Sequence, residues 1–308
     1  MKQLLFLIAL AALPAGAQVK ITPDAGRVAI RIDGKPFADF FLAPGGNKPY
    51  VYPLRTPAGV VVTRHFPMES FPGETHDHPH HRGMFFAHGD VNGVNFWATE
   101  PSAKSPHAGR MIFRKLLEAK GGPKSGTIKA IFDGLDPQGK AMMTETRTLT
   151  FFAGDPRIVD FEVRIEALRP LKFGDTKEGT FGIRLATPLS EDKSGKMVNA
   201  EGAETEKNVW GKRSDWVDYS GLVNGKTVGV IIMDHPSNPR HPTYWHARGY
   251  GLFAANPFGV RDFTEDKTRD GSMTIDAGQS ATFRYRVVIH DGALDHARIA
   301  ELYRQYGQ

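Results

Sequence analysis

The 308-residue chain contains no cysteine. That excludes disulfides, thiolate zinc sites, iron–sulfur clusters, blue-copper centres and cysteine nucleophiles. Stability must come from an ordinary apolar core, and the chain is long enough to bury one. Long hydrophobic runs are also scarce. Beyond the first residues, no segment approaches the ~18 consecutive apolar residues that a membrane helix needs. The net charge is only +5, and no run of five basic residues occurs. A nucleic-acid groove shows a clustered basic face, so no nucleic-acid partner is expected. A GxSxG elbow, a GxGxxG turn after a strand, a P-loop and an HExxH helix are all missing. Covalent serine hydrolysis and nucleotide-cofactor chemistry therefore have no support.

What is present begins with an address. Lys2 is followed by the short apolar core "LLFLIALAAL", and "PAGA" supplies small residues before Gln18. This pattern predicts a secretory signal peptide over 1–17, cleaved near Ala17 and too short to span a membrane. The expected location is the bacterial periplasm or exterior. The expected mature protein, 18–308, is one domain with no membrane span.

Period-two alternation dominates the rest. Val28, Ile30 and Ile32 share a face in "VAIRI", as do Val159, Phe161, Val163 and Ile165 in "VDFEVRIE" and Phe283, Tyr285, Val287 and Ile289 in "FRYRVVIH". Such segments are half-buried antiparallel strands. "DGK" at 33–35, "NGK" at 224–226 and "DAG" at 276–278 supply tight turns between them. Helical signal is confined to the C-terminus. There Ile299, Leu302, Tyr303 and Tyr306 recur at helical spacing, with Asp295 in the first turn. The fold class is all-β, a large sandwich or barrel with a short C-terminal helix.

The stretch "ETHDHPHHRGMFFAHGD" (74–90) holds five of the twelve histidines: His76, His78, His80, His81 and His88. Three chemistries are open to it. The first is a metal site built from three imidazoles, or two with Asp77 or Asp90; His78, His80 and Asp90 are the named set. One divalent ion (zinc, iron, manganese or copper) is the open cofactor. The second is proton transfer, because an imidazole near neutrality both gives and takes a proton. The third is a rigid polar corner whose side chains bond their own backbone. Downstream, "HGDVNGVNFW" adds Asn92, a turn candidate, and Trp97. "WGKRSDWVDYSG" adds Trp210 and Arg213. "HPTYWHARGYG" adds His246, the distal partner chosen for the histidine loop, while His235 is assigned to a turn.

These strings carry a resemblance. "DHPHHRGMFFAHGDVNGVNFW", "FGDTKEGTFGIRLATP" (173–188), "WGKRSDWVDYSG" (210–221), "DHPSNPRHPTYWHARGYGLFAANPFG" (234–259) and "FRYRVVIHDG" (283–292) are similar to a secreted bacterial family named PmoA-like, or "methane oxygenase PmoA", of unknown function. The name fits poorly, since a membrane methane monooxygenase subunit has spanning helices. Such proteins in turn resemble the galactose-mutarotase-like super-sandwich, a large twisted double β-sheet. Proteins of that fold bind or modify sugars in a cleft on the concave sheet. Mutarotases pair histidines with a carboxylate across the sugar. By that resemblance Glu178 is the carboxylate chosen here, with Asp175 behind it, because Glu178 precedes the alternating Phe181, Ile183 and Leu185.

Three functions follow. One is a secreted carbohydrate-active enzyme of the acid/base type: an epimerase, lyase or hydrolase. His80, His81 and His246 would be its acid/base groups and Glu178 their partner. Arg82, His88, Asp90, Trp97, Arg184, Trp210 and Arg213 would bind a small-molecule or oligosaccharide substrate. The second is a non-catalytic carbohydrate-binding protein. The third is a metal-dependent enzyme, an oxygenase as the family name suggests.

Overall fold

The computed structural model describes residues 18–42, 48–100 and 105–308. The leader expected at 1–17 lies outside them. Eighteen strands follow in order. They are β1 (Val19–Asp24), β2 (Arg27–Ile32), β3 (Lys35–Phe41), β4 (Tyr50–Tyr52), β5 (Met84–His88), β6 (Arg110–Lys120), β7 (Ser125–Leu135), β8 (Ala141–Phe152) and β9 (Arg157–Ala167). After these come β10 (Leu171–Phe173), β11 (Gly179–Arg184), β12 (Lys196–Asn199), β13 (Trp216–Val223), β14 (Lys226–Asp234), β15 (Tyr244–Ala247), β16 (Leu252–Asn256), β17 (Met273–Ile275) and β18 (Ser280–Asp291). Three short α-helices, α1 (Glu206–Val209), α2 (Val260–Thr264) and α3 (His296–Tyr306), and one 3-10 turn (Thr187–Leu189) complete the described elements.

Two eight-stranded antiparallel sheets form the sandwich. One runs β1-β2-β3-β4-β5-β11-β16-β15 and the other β12-β13-β14-β18-β9-β8-β7-β6, with β10 and β17 as a separate pair. The architecture is therefore the large antiparallel β super-sandwich expected, with its short C-terminal helix. The alternating residues named above are the buried ones: Val28, Ile30, Ile32, Val159, Phe161, Val163 and Ile165 are all at most 1% exposed. Asp33–Gly34 and Asn224–Gly225 take positive φ at both central turn positions, which is the geometry a two-residue hairpin needs.

Helix α3 covers the outer face of the second sheet. Asp295 caps it by accepting from the Arg298 amide at 2.7 Å. Ile299 and Leu302 then pack on Trp216, Ile231, Met233 and Val288 in a small second core. This is why β18 buries Val288 as well as the alternating set. Among the described residues no helix is long and apolar enough to cross a membrane.

The register of the first sheet decides where a site can form. Phe86, Phe181, Ala255 and Trp245 pair across β5, β11, β16 and β15 and face the sandwich core. There Phe181 packs on Phe161 at 5.0 Å and stacks on Tyr285 at 4.6 Å. Their neighbours Phe85, Gly182, Ala254 and His246 form the adjacent row, so they face away from that core. Gly182 and Ala254 are small, which leaves this outer face hollow. Loops 75–83 and 89–100 close over part of it.

Candidate active site

A cavity of about 460 Å³ opens on this outer face. It is lined by His78, His80, His81, Lys177, Glu178, His246, Arg248 and Tyr250, with Ala98. Three separate segments converge there: the histidine loop, the entry to β11, and β15 with the turn after it. The four residues assigned acid/base roles from sequence, His80, His81, Glu178 and His246, all lie on its wall.

The histidine loop is built on Arg64, which is fully buried. Its guanidinium donates to Asp77 at 2.7 Å and to the carbonyls of His78 (3.0 Å) and Phe66 (3.2 Å). Arg184, projecting from β11 beneath the loop, donates to both Asp77 oxygens at 3.0 and 3.1 Å. Asp77 also accepts from His78. Burial alone would raise the Asp77 carboxyl. The Thr75 and His78 hydrogen bonds and the Arg184 and Arg64 charges outweigh it and hold the group well below the usual carboxylate range. His78 takes a left-handed φ of 44°, which turns the chain so that the His81 amide reaches the His78 carbonyl at 3.0 Å. Its ring is then stacked between His81 (4.9 Å) and Tyr250 (5.2 Å).

Three histidines on the wall, His80, His81 and His246, are held neutral. Burial, with the charges of Lys48 and His78 second, pushes His80 down to about 3. Burial also pushes His81 well below its ordinary value. Burial brings His246 down to about 4, against the pull of Glu178. Their tautomers differ. His246 Nδ1 lies 2.8 Å from the Lys177 carbonyl and donates to it, so Nε2 keeps a lone pair. His81 Nδ1 accepts from Arg184 at 3.4 Å, which puts the proton on Nε2. That Nε2 is buried and has no partner among the described residues. One ring can therefore accept a proton and the other can donate a hydrogen bond.

Glu178 is placed by a glycine. The Gly89 amide donates to the Glu178 carbonyl at 2.7 Å, and a Cβ at position 89 would come within 2.7 Å of the Glu178 Cβ. Its carboxylate sits 3.2 Å from the Lys177 ammonium and is about a third exposed.

Other sequence expectations are corrected. Asp90 does not join His78 and His80: its carboxylate accepts the Gly93 amide at 2.8 Å in the loop's own turn. Among the described residues no group of three or more His, Asp or Glu is arranged to hold a metal ion. The set His78, His80 and Asp90 is thus not assembled. His88 is buried away from the cavity, donates to the Gly174 carbonyl at 2.9 Å and packs on Phe258 at 4.7 Å. Trp97 is wholly buried, laid across Gly182 and edge-on to Phe85 and His81, so its ring is no open platform. Arg82 is committed to Glu100 at 2.9 Å and lies over the Tyr50 ring. Arg184 supports the wall from beneath. Trp210 packs edge-on to Phe263 behind Arg248. Arg213 lines a different cavity. Asp175 does not back Glu178; it is buried and accepts the Arg261 amide at 3.1 Å. Asn92 and His235 do sit in turns, bonding Lys172 and Ser237.

Two residues on or behind the wall had no sequence signal of their own. Tyr250 stacks on His78, and the Arg184 guanidinium lies 4.7 Å from its ring. Lys48 is buried behind the histidines, donates to the Trp97 carbonyl and sits 4.7 Å over Phe85. Burial pushes its ammonium down to about 7 against the pull of Glu100.

Residues 27–304 match the model of a family described as a family of unknown function (DUF6807), and the chain belongs to that family. No curated protein matches it. Among solved structures it is similar to the heparan sulfate lyase HepC from Pedobacter heparinus, at 8% identity and a TM-score of 0.36, over 91% of this chain and 36% of that one. It is similar to a glycoside hydrolase family 97 enzyme from Pseudoalteromonas sp. strain K8, at 12% identity and 0.35, over 89% and 34%. It is similar to a GalM/aldose epimerase homologue from C. elegans, at 9% and 0.32, over 91% and 100%. The chain spans about a third of the length of the first two. At these identities and scores the likenesses assign no activity.

Proposed function

We propose that this member of a family of unknown function is a secreted carbohydrate-active enzyme that works by acid/base chemistry in the histidine cavity. The observation that carries the reading is the convergence of His80, His81, Glu178 and His246 on one wall. A purely structural polar corner would satisfy its own groups. Here His81, a residue of the cavity wall, has a buried Nε2–H without a partner among the described residues, and a buried unmet donor is costly unless something else fills it.

The tautomers suggest the roles. His246 Nε2 takes a proton from the substrate, with the Glu178 carboxylate favouring the imidazolium that forms. His81 Nε2–H donates to a substrate oxygen on which negative charge develops; as a neutral ring it polarises rather than protonates. This favours proton abstraction next to a carbonyl or ring-opened carbonyl, as an epimerase or lyase requires, over hydrolysis. Lys177, Arg248 and Tyr250 would orient the sugar. The location in the periplasm or exterior belongs to the proposal. The non-catalytic sugar-binding reading is less favoured, because the wall holds titratable rings and no tryptophan: Trp97 is buried and Trp210 is half-buried against Phe263. The oxygenase reading, which the PmoA-like name suggests, has no assembled ligand set among the described residues to rest on.

A screen of mono- and oligosaccharides, read by reducing ends, ultraviolet absorbance of unsaturated products and proton exchange, tests the proposal. Turnover is expected. Saturable binding with no product would favour the binding-protein reading.

A further inference from the structure

Beyond the Phe263 ring lies a second cavity, of about 420 Å³, lined by Arg213, Arg240, Tyr244, Pro257, Val260, Arg269 and Asp270. Tyr244 and His246 share one face of β15, and Phe263 packs on both, at 5.5 and 6.1 Å. The second cavity therefore neighbours the first on the same sheet face. We infer that it is a binding site for an oxyanion group, a sulfate, phosphate or carboxylate, held by Arg213, Arg240 and Arg269. The inference does not depend on the proposed activity.

Three guanidiniums line this cavity, and among the described residues none has a carboxylate within 4.0 Å. Its one carboxylate, Asp270, is already engaged. It lies 3.7 Å from Arg261 and accepts the Ser272 amide at 2.9 Å and hydroxyl at 3.0 Å. Among the described residues the cavity thus holds three guanidiniums against one carboxylate that is already engaged, with Asp266 the acidic group that feels the Arg269 charge.

Two of the arginines are held in place rather than free. Arg213 donates to the carbonyls of Pro242 (2.8 Å), Arg240 (3.2 Å) and His241 (3.2 Å), and its guanidinium lies over Tyr244. Its Nη1 donors have no partner among the described residues. Arg240 donates to the carbonyls of Pro257, Gly271 and Ser272. Its backbone takes a φ of 65°, a left-handed conformation that a long side chain seldom adopts. Carbonyl partners orient a guanidinium without neutralising it. That is the arrangement that planar, fork-like recognition of an oxyanion needs. Arg269 makes no side-chain hydrogen bond among the described residues; only its backbone is used, the amide donating to the Asp266 carbonyl at 3.3 Å and the carbonyl accepting from Arg261 at 2.8 Å. It can close on the ligand.

Isothermal titration of the whole protein with sodium sulfate, at ionic strength held constant with sodium chloride, tests this. Screening of the general surface charge is then the same throughout. One saturable site is expected, weakened about tenfold in Arg269→Gln and in Arg213→Gln, as loss of a charge-assisted donor predicts. Arg269→Gln loses no side-chain hydrogen bond or ion pair seen among the described residues, so its melting temperature should match wild type. Parallel titrations use glucose 6-sulfate and glucose. Tighter binding of the sugar sulfate than of free sulfate makes the ligand a charged glycan, and equal binding makes it the free anion. No saturable binding of either anion, or binding unchanged in both variants, would overturn the inference.

Discussion

His246 Nδ1 lies 2.8 Å from the carbonyl oxygen of Lys177, the residue just before Glu178. One backbone segment thus sets both the tautomer of the ring and the position of the carboxylate. Gly89 fixes that segment from the other side, because a Cβ there would meet Glu178 at 2.7 Å. Gly89→Ala should therefore displace Glu178 and lower kcat on the order of tenfold to a hundredfold, as small misplacements of reacting groups do. The measurement is kcat beside the melting temperature, on the substrate returned by the saccharide screen. Unchanged kcat would mean that the position of Glu178 does not matter.

Among the described residues Asp77 is the only carboxylate joined to both Arg64 and Arg184. Removing its charge leaves two buried guanidiniums facing each other. Asp77→Asn is expected to cost about 3 kcal/mol, the low end for a broken buried pair because Asp77 itself is a third exposed. Urea unfolding checks it. A loss below about 1 kcal/mol would show that Asp77 is dispensable to the loop.

Stability should fall on mild acidification. Burial holds His88 down to about 4, His80 to about 3 and His246 to about 4, all from an ordinary 6.5. Between roughly pH 6.5 and 4 the unfolded chain binds protons that the folded one refuses, so stability drops as pH falls through that window. His88 alone would supply about 3 kcal/mol of this. His241 acts with the opposite sign. Its hydrogen bond to Asp234 raises it, so its stabilisation is complete below 6.5 and fades as pH rises through its higher folded value. Urea midpoints from pH 8 to 4 should decline, and His88→Gln should flatten the decline. A flat profile in the wild type would contradict the neutral-histidine assignment.

Trp97→Ala should act through the core. The ring is wholly buried across Gly182, so a loss of about 3–5 kcal/mol is expected. Trp97→Phe should recover much of it. Full stability in the alanine variant, with sugar binding lost, would restore Trp97 as a binding platform.

Much of the sandwich was legible because a strand with one buried face must alternate. The turns were legible because Asp-Gly and Asn-Gly supply positive φ. The C-terminal helix showed its own period and cap. At the site, residue type marked His80, His81, Glu178 and His246, and the fold brings all four to one wall. Pairing partners were invisible where they are remote in sequence: Arg184 meets Asp77, and Arg82 meets Glu100, only through the fold. Trp97 misled because no pattern shows that Gly182 lies opposite it. Tyr250 and Lys48 carry no local signature, since their positions come from the stacked loop and from burial behind it. Asp90 looked like a ligand because the turn that consumes it is a matter of backbone geometry.

The most direct measurement is turnover by His246→Gln and Glu178→Gln proteins against wild type, on a sugar substrate, at matched melting temperature. Losses of at least about a hundredfold in kcat are expected in both, the scale of a removed general base. Wild-type turnover in both variants, with folding intact, would contradict acid/base catalysis in this cavity.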